Sequence, residues 1–282
     1  MNNPHIQALE FLVDAGVTSA FLEEPNNRFA RVQSIVNPAQ VSISEPQKQM
    51  DSGLRRNDSE GRNDGGGRND SGVSHNNDVV GLKPHADIIK QAEDLAANCE
   101  TLDDLKSAIQ NFDGLSLKKN ATTMVFADGN EQAKIMVIGE APGADEDRQG
   151  VPFVGVSGQL LDKIFACIDL NREKSLYITN ILNWRPPGNR TPTREEMEIA
   201  KPFIQRHIAL VNPDIIILCG GVAAQTLLNS KDSISRLRGK IHDYDDTTKA
   251  IATYHPAFLL RTPLQKKKVW DDMIMLKGLI NA

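Results

Sequence analysis

The sequence predicts an α/β protein, a three-layer α/β/α sandwich around a short, mainly parallel four-stranded sheet. Two patterns carry that prediction. Four short, β-branched and almost wholly apolar runs, KIMVIG (134–139), SLYITN (175–180), DIIILCG (214–220) and AIATYH (250–255), have the composition of strands buried on both faces. Amphipathic segments lie between them, and strand alternating with helix implies right-handed crossovers and a parallel sheet covered on both sides. A third pattern concerns chemistry: Glu140, Asn180, Gly220-Gly221 and His255-Pro256 fall at the carboxyl ends of the four strands. Open α/β sheets bind their ligands at that edge.

In chain order, HIQALEFLVDA (5–15) has helical apolar spacing, and residues 1–39 are expected to form an N-terminal helical extension. Residues 40–82 read as a disordered low-complexity insertion. RRND, GRND and GRND recur there in a stretch rich in Gly, Asn, Asp, Ser and Arg, with too little apolar surface to offset the entropy of ordering. Arg/Gly repeats also suggest a nucleic-acid tether, which the interspersed aspartates weaken. The α/β domain is expected over 83–282. It begins with amphipathic helices at 84–97 and 101–112, the second with Asp103-Asp104 in its first turn, where the helix dipole favours negative charge. Later helices are expected at 158–168, 194–211, 221–229 and about 265–279.

The bulk properties bound the function. The chain has 282 residues, 40% of them hydrophobic, and a formal charge of -5, so it can bury a sizeable core but has no global basic footprint. Any polyanion must be held locally. No run has the length of a membrane span and no signal peptide is read at the N-terminus, which places the protein in the cytoplasm. Three cysteines, Cys99, Cys167 and Cys219, are widely spaced without a C-x-x-C pair, so neither a disulfide framework nor a self-contained metal site is suggested.

The strand-end residues suit a planar base. An amide such as Asn180 offers a donor beside an acceptor, as a ring with N–H next to C=O requires, and uracil has that edge whereas cytosine has the reverse. Phe153, in the turn VPFVG, can stack on a pyrimidine or belong to the core under the loop. Arg185, Asn189, Arg190, Arg238, Arg261 and Lys266-Lys267-Lys268 are candidates for phosphate contacts on the rim.

GEAPGADEDRQGVPFVG, YITNILNWRPPGNRTPT and TYHPAFLLR, in this order, resemble the motifs of the family 4 uracil-DNA glycosylases, over about residues 94–281. The resemblance implies a DNA-repair enzyme, expected as a monomer on uracil-containing DNA, that hydrolyses the N-glycosidic bond of deoxyuridine. It implies catalytic roles for Glu140, Asn180 and His255, and uracil binding by these with Gly139, Glu146 and Phe153. In that scheme Glu146 lies near the C5 edge, and DNA is held by Arg185, Arg190, Arg238 and Arg261. Glu140 favours family 4 over family 5, in which an apolar residue takes that place.

Two departures stand out. Ala257 replaces the serine usual after His-Pro. Typical members also hold an iron–sulfur cluster on four cysteines, a requirement not met where Trp184 and Ala200 occupy two of those positions and only Cys99 lies near the other pair. The expectation is therefore no cofactor and no metal. Rival readings are a non-catalytic DNA- or base-binding homologue that kept the pocket, and an α/β enzyme acting on a free nucleotide with phosphate at a helix N-terminus.

Overall fold

Among the described residues, six strands form one sheet in the order β1-β3-β2-β4-β6-β5. The computed structural model describes residues 84–281, so the expectations for 1–39 and 40–82 lie outside the described residues. The strands are β1 (Ala127–Gly129), β2 (Ile135–Gly139), β3 (Leu176–Asn180), β4 (Ile215–Cys219), β5 (Ile241–Asp243) and β6 (Lys249–Thr253). The four expected strands are the inner four and are mutually parallel. The sheet is wider than expected by its two edges. β1 and β5, three residues each, pair antiparallel with β3 and β6.

The helices are α1 (His85–Ala97), α2 (Leu102–Asn111), α3 (Ala144–Gln149), α4 (Val156–Ala166), α5 (Arg194–Val211), α6 (Gly221–Leu227), α7 (Ile234–Leu237), α8 (Pro256–Arg261) and α9 (Lys266–Ile280). α2 starts at a reciprocal cap, in which the Thr101 hydroxyl accepts from Asp104 N while the Asp104 carboxylate accepts from Thr101 N. Thr193 and Glu196 repeat the device on α5.

Because side chains alternate across a strand, the sheet divides its apolar residues between two cores. Met136, Ile138, Ile216, Leu218, Ala250 and Ala252 pack with residues of α1, α2, α5 and α6. Ile135, Val137, Ile215, Ile217 and Ile251 pack with α4, α8 and α9. Three layers result, and each fully buried Ile or Leu contributes about 1.5–3 kcal/mol.

Strand order sets the place of the site. From β2 the chain passes to β3 on one side, then crosses back to β4 on the other. That reversal opens a crevice beyond the carboxyl ends of β2 and β4. The backbone continues from β4 through Gly220, whose φ of +98° suits glycine, and a Cβ there would come within 3.2 Å of His255 Cβ.

Candidate active site

A cavity of about 470 Å³ opens at the carboxyl edge of the sheet, over the ends of β2, β3 and β6. Glu140, Glu146, Phe153, Asn180, His255, Arg190 and Arg261 all line it, so the ends of β2, β3 and β6 meet around one space, whereas Gly220-Gly221, after β4, is outside the lining and only backs His255. Gly139, the last residue of β2, lies in register with Asn180 on β3. A Cβ at Gly139 would sit 2.3 Å from Asn180 Oδ1 and 2.5 Å from Phe153 Cζ, so its absence lets the amide and the ring converge. The lining also includes Ser157, Thr191 and Phe258, which were not expected. Ser157 follows the PFVG turn directly into α4, and Phe258 follows His255 by three residues; small offsets from a motif residue were the available signal.

His255 caps α8. Its Nδ1 accepts a hydrogen bond from Ala257 N at 3.2 Å. With Nδ1 serving as acceptor, the neutral ring carries its proton on Nε2. Burial, and then the Arg261 charge, lower the pKa of His255 to about 4, so it is a neutral donor at ordinary pH. The backbone N–H of residue 257 does the orienting, and Ala257 supplies it as well as a serine would. The Phe153 ring lies beside the imidazole, with centroids 5.6 Å apart.

The acids of GEAPGADEDRQG divide their work. Glu140 faces the cavity, and burial raises its pKa above the usual carboxylate value. Glu146 Oε1 accepts from Val154 N and Gly155 N, each at 3.0 Å, and so staples the PFVG turn to α3. Asp147 Oδ1 accepts from Thr122 N and Thr123 N, and Asp145 pairs with Arg148. Phe153 joins both alternatives: it is 4% exposed within the core beneath α4, and it also lines the cavity.

The rim cations are unequal. Arg261 is exposed at the cavity edge. Arg190 is exposed too, with both Nη atoms on the Glu196 carboxylate. Arg185 is half-buried outside the lining, its Nε donating to Asn189 Oδ1 at 2.7 Å. Arg238, expected on the rim, lies apart from the cavity. Its guanidinium is held by the fully buried Asp272 and by Lys268 O. Lys266 is buried, whereas Lys267 and Lys268 are exposed.

The sequence is similar to those of known proteins. The family described as Uracil DNA glycosylase superfamily matches residues 126–274. A type-4 uracil-DNA glycosylase of Archaeoglobus fulgidus is 41% identical over 180 residues, which cover 61% of this chain and 90% of that protein. The chain belongs to the uracil DNA glycosylase superfamily, in its type-4 family. Similar type-4 enzymes of Thermotoga maritima (36% identity, covering 64% of this chain and 95% of that one) and Pyrobaculum aerophilum (34%, covering 63% and 93%) agree.

The thiols of this family member do not fit a four-thiolate cluster. Cys99 is buried, its Sγ donating to Leu95 O, and burial raises its pKa, so it is held as a thiol. Trp184 and Ala200 lie in the same apolar core as Cys99. Cys219 is packed in the core on the other face of the sheet, with its pKa raised by burial to about 12, and Cys167 ends α4. No group of three or more His, Cys, Asp or Glu side chains is gathered for a metal among the described residues. Nor, among them, is any helix long and apolar enough to cross a membrane.

Proposed function

We propose that this chain is a DNA-repair uracil-DNA glycosylase: it hydrolyses the N-glycosidic bond of deoxyuridine in DNA, releasing uracil and leaving an abasic site. The observation that carries this reading is His255, fixed by Ala257 N as an Nε2–H donor in a cavity shared with Asn180 and Glu140. Names of relatives support it, since the relatives named above are type-4 uracil-DNA glycosylases.

The chemistry follows from charge. When the C1′–N1 bond breaks, its electrons go to uracil, where negative charge collects at O2, and the sugar becomes cationic. Water then bonds to C1′ and the departing base takes up a proton. A neutral His255 donating one fixed hydrogen bond stabilises that anion without needing a proton of its own from solvent. The Glu140 carboxylate faces the cationic sugar and accepts from the attacking water. Asn180 reads the N–H and C=O edge, and a base with the reverse edge leaves buried polar groups unpaired. Phe153 covers the ring face. The target base lies inside the duplex stack and must first be flipped out, at a cost of a few kcal/mol that is smaller in mismatches and single strands.

Arg261, Arg190 and Arg185 are the rim cations in this reading, and Arg238 serves the fold. The enzyme works as a cytoplasmic monomer on DNA. It carries no iron–sulfur cluster, and Trp184 provides packing in place of a ligand.

The test is uracil release from a single-uracil oligonucleotide, beside deoxyuridine monophosphate, for wild type, His255→Ala and Asn180→Ala, with iron measured on the same samples. Wild type is expected to cleave the oligonucleotide alone and to hold no stoichiometric iron, and His255→Ala to lose about 10²–10³ in rate, as removal of an oxyanion donor does. Equal activity in all three removes the site assignment. Binding without release by wild type favours the non-catalytic homologue.

A further inference from the structure

Phe153 has φ of +54°. A bulky aromatic side chain is rarely found in that left-handed region, and holding it there is strained. Such a conformation persists only where its surroundings impose it, and here they act on the backbone from both sides. On the amide side, Glu146 receives Val154 N and Gly155 N. On the carbonyl side stands Arg172, in the loop between α4 and β3. Its Nη1 donates to Pro152 O at 2.8 Å and its Nη2 to Phe153 O.

The same guanidinium is anchored at its other edges. Nε donates to Asp162 Oδ1 on α4 at 2.7 Å, and Nη1 to Asp128 Oδ2 on β1 at 3.0 Å. A planar fork with five donors can serve two carbonyls and two carboxylates together; a lysine ammonium, a point charge with three donors, cannot span them. Gly158 completes the seat, because a Cβ there would fall 1.8 Å from Phe153 O. Arg172 does not line the cavity, and its side chain is only 16% exposed. A half-buried cation that spends two bonds on consecutive carbonyls of a strained turn is placed to aim the ring that the turn carries.

We propose that Arg172 is a positioning residue of the site: through the carbonyls of Pro152 and Phe153 it holds the Phe153 ring in the attitude that receives the base, while Asp128 and Asp162 fix the guanidinium. This rests on the glycosylase reading, in which Phe153 stacks on uracil. Arg172 touches no substrate atom. Its effect should therefore pass wholly through Phe153 and concern the base rather than the DNA backbone.

A double-mutant cycle of Arg172→Met and Phe153→Ala tests it. Three quantities are measured for each protein: inhibition by free uracil, single-turnover uracil release, and affinity for DNA that already contains an abasic site. Base stacking on an aromatic ring is worth ~1–3 kcal/mol, so Arg172→Met is expected to weaken uracil inhibition about tenfold or more. Affinity for abasic DNA, which has no base to stack, should stay within about twofold, the tolerance for independent sites. In the Phe153→Ala background the same substitution should change uracil inhibition and release by less than about twofold. Should Arg172→Met fail to fold, Arg172→Lys takes its place, keeping charge between the aspartates without spanning both carbonyls.

Additive losses around the cycle, or an equal fall in abasic-DNA affinity, would overturn the proposal while leaving the glycosylase reading intact. Absence of uracil release by wild type would sink that reading, and the Arg172 proposal with it.

Discussion

At Gly139 the absence of a side chain is what the site requires. Asn180 Oδ1 and the Phe153 ring both occupy the space a Cβ would need. Gly139→Ala should push the amide and the ring apart, and overpacking of this kind costs about 1–3 kcal/mol of stability. Uracil release is expected to fall by about tenfold or more, because the edge-reading bonds require close geometry. Measured release near the wild-type rate would show that the amide and ring move aside freely. The gathering of Glu140, Asn180 and His255 at one cavity was legible because each lies at or just past the end of an apolar strand, and the strand end fixes where it must lie. Glu146 was legible as part of the cavity wall but not in its bonding, since nothing local in GADEDRQG says that its carboxylate returns to Val154 N and Gly155 N eight and nine residues on. Arg238 misled for the same reason. Its partner Asp272 is 34 residues away.

Among the elements, the contact of Arg238 with α9 joins several parts of the chain. Asp272 is fully enclosed, with burial raising its pKa while Arg238 and the Thr253 hydroxyl act against that rise. Thr253 ends β6, two residues before His255, so the pair braces the strand that delivers the imidazole. Removing one partner leaves a buried charge uncompensated, and Arg238→Met should cost about 3–5 kcal/mol. Arg238→Met with Asp272→Leu should recover much of that loss, as replacement of both members of a buried pair often does. Urea unfolding of the single and double variants checks it, and a single variant as stable as wild type would contradict the brace. The inner strands and the long helices were readable because an apolar run or a 3.6-residue period survives over many positions. β1 and β5 were not, because Ala-Asp-Gly and Ile-His-Asp have no such pattern and are strands by backbone pairing alone. α3 escaped for a related reason, since ADEDRQ has no apolar face and buries two of its acids instead.

For the molecule as a whole, two histidines among the described residues, the buried His207 and the cavity-lining His255, set the response to acid. His207 lies 2.9 Å from the Tyr177 hydroxyl and stacks on Phe126, and burial pushes its pKa down to about 3. His255 is pushed down to about 4. Both stay neutral in the folded state but take up a proton at an ordinary pKa of about 6.5 once unfolded. The unfolded chain then binds more protons, so stability present above about pH 6.5 is lost as pH falls towards the folded values. Each histidine should remove about 2 kcal/mol between roughly pH 6.5 and 5. The raised carboxyls of Glu140 and Asp272 act in the opposite sense as pH falls through their own values. Urea midpoints at neutral and mildly acid pH measure the loss, and His207→Gln should shrink it by one histidine's share. A midpoint insensitive to pH would contradict the buried neutral pair.

The inner strands β2 and β4 are apolar along nearly their whole length, which leaves polarity unable to police their alignment. A β2 shifted by one position would bury much the same grease, yet it would move Gly139 out of step with Asn180. Such a molecule would keep its strand pairing and secondary structure, at a cost in packing, and be silent on its substrate. Turnover, rather than spectroscopy, is therefore the gauge of whether this sheet has been laid down true.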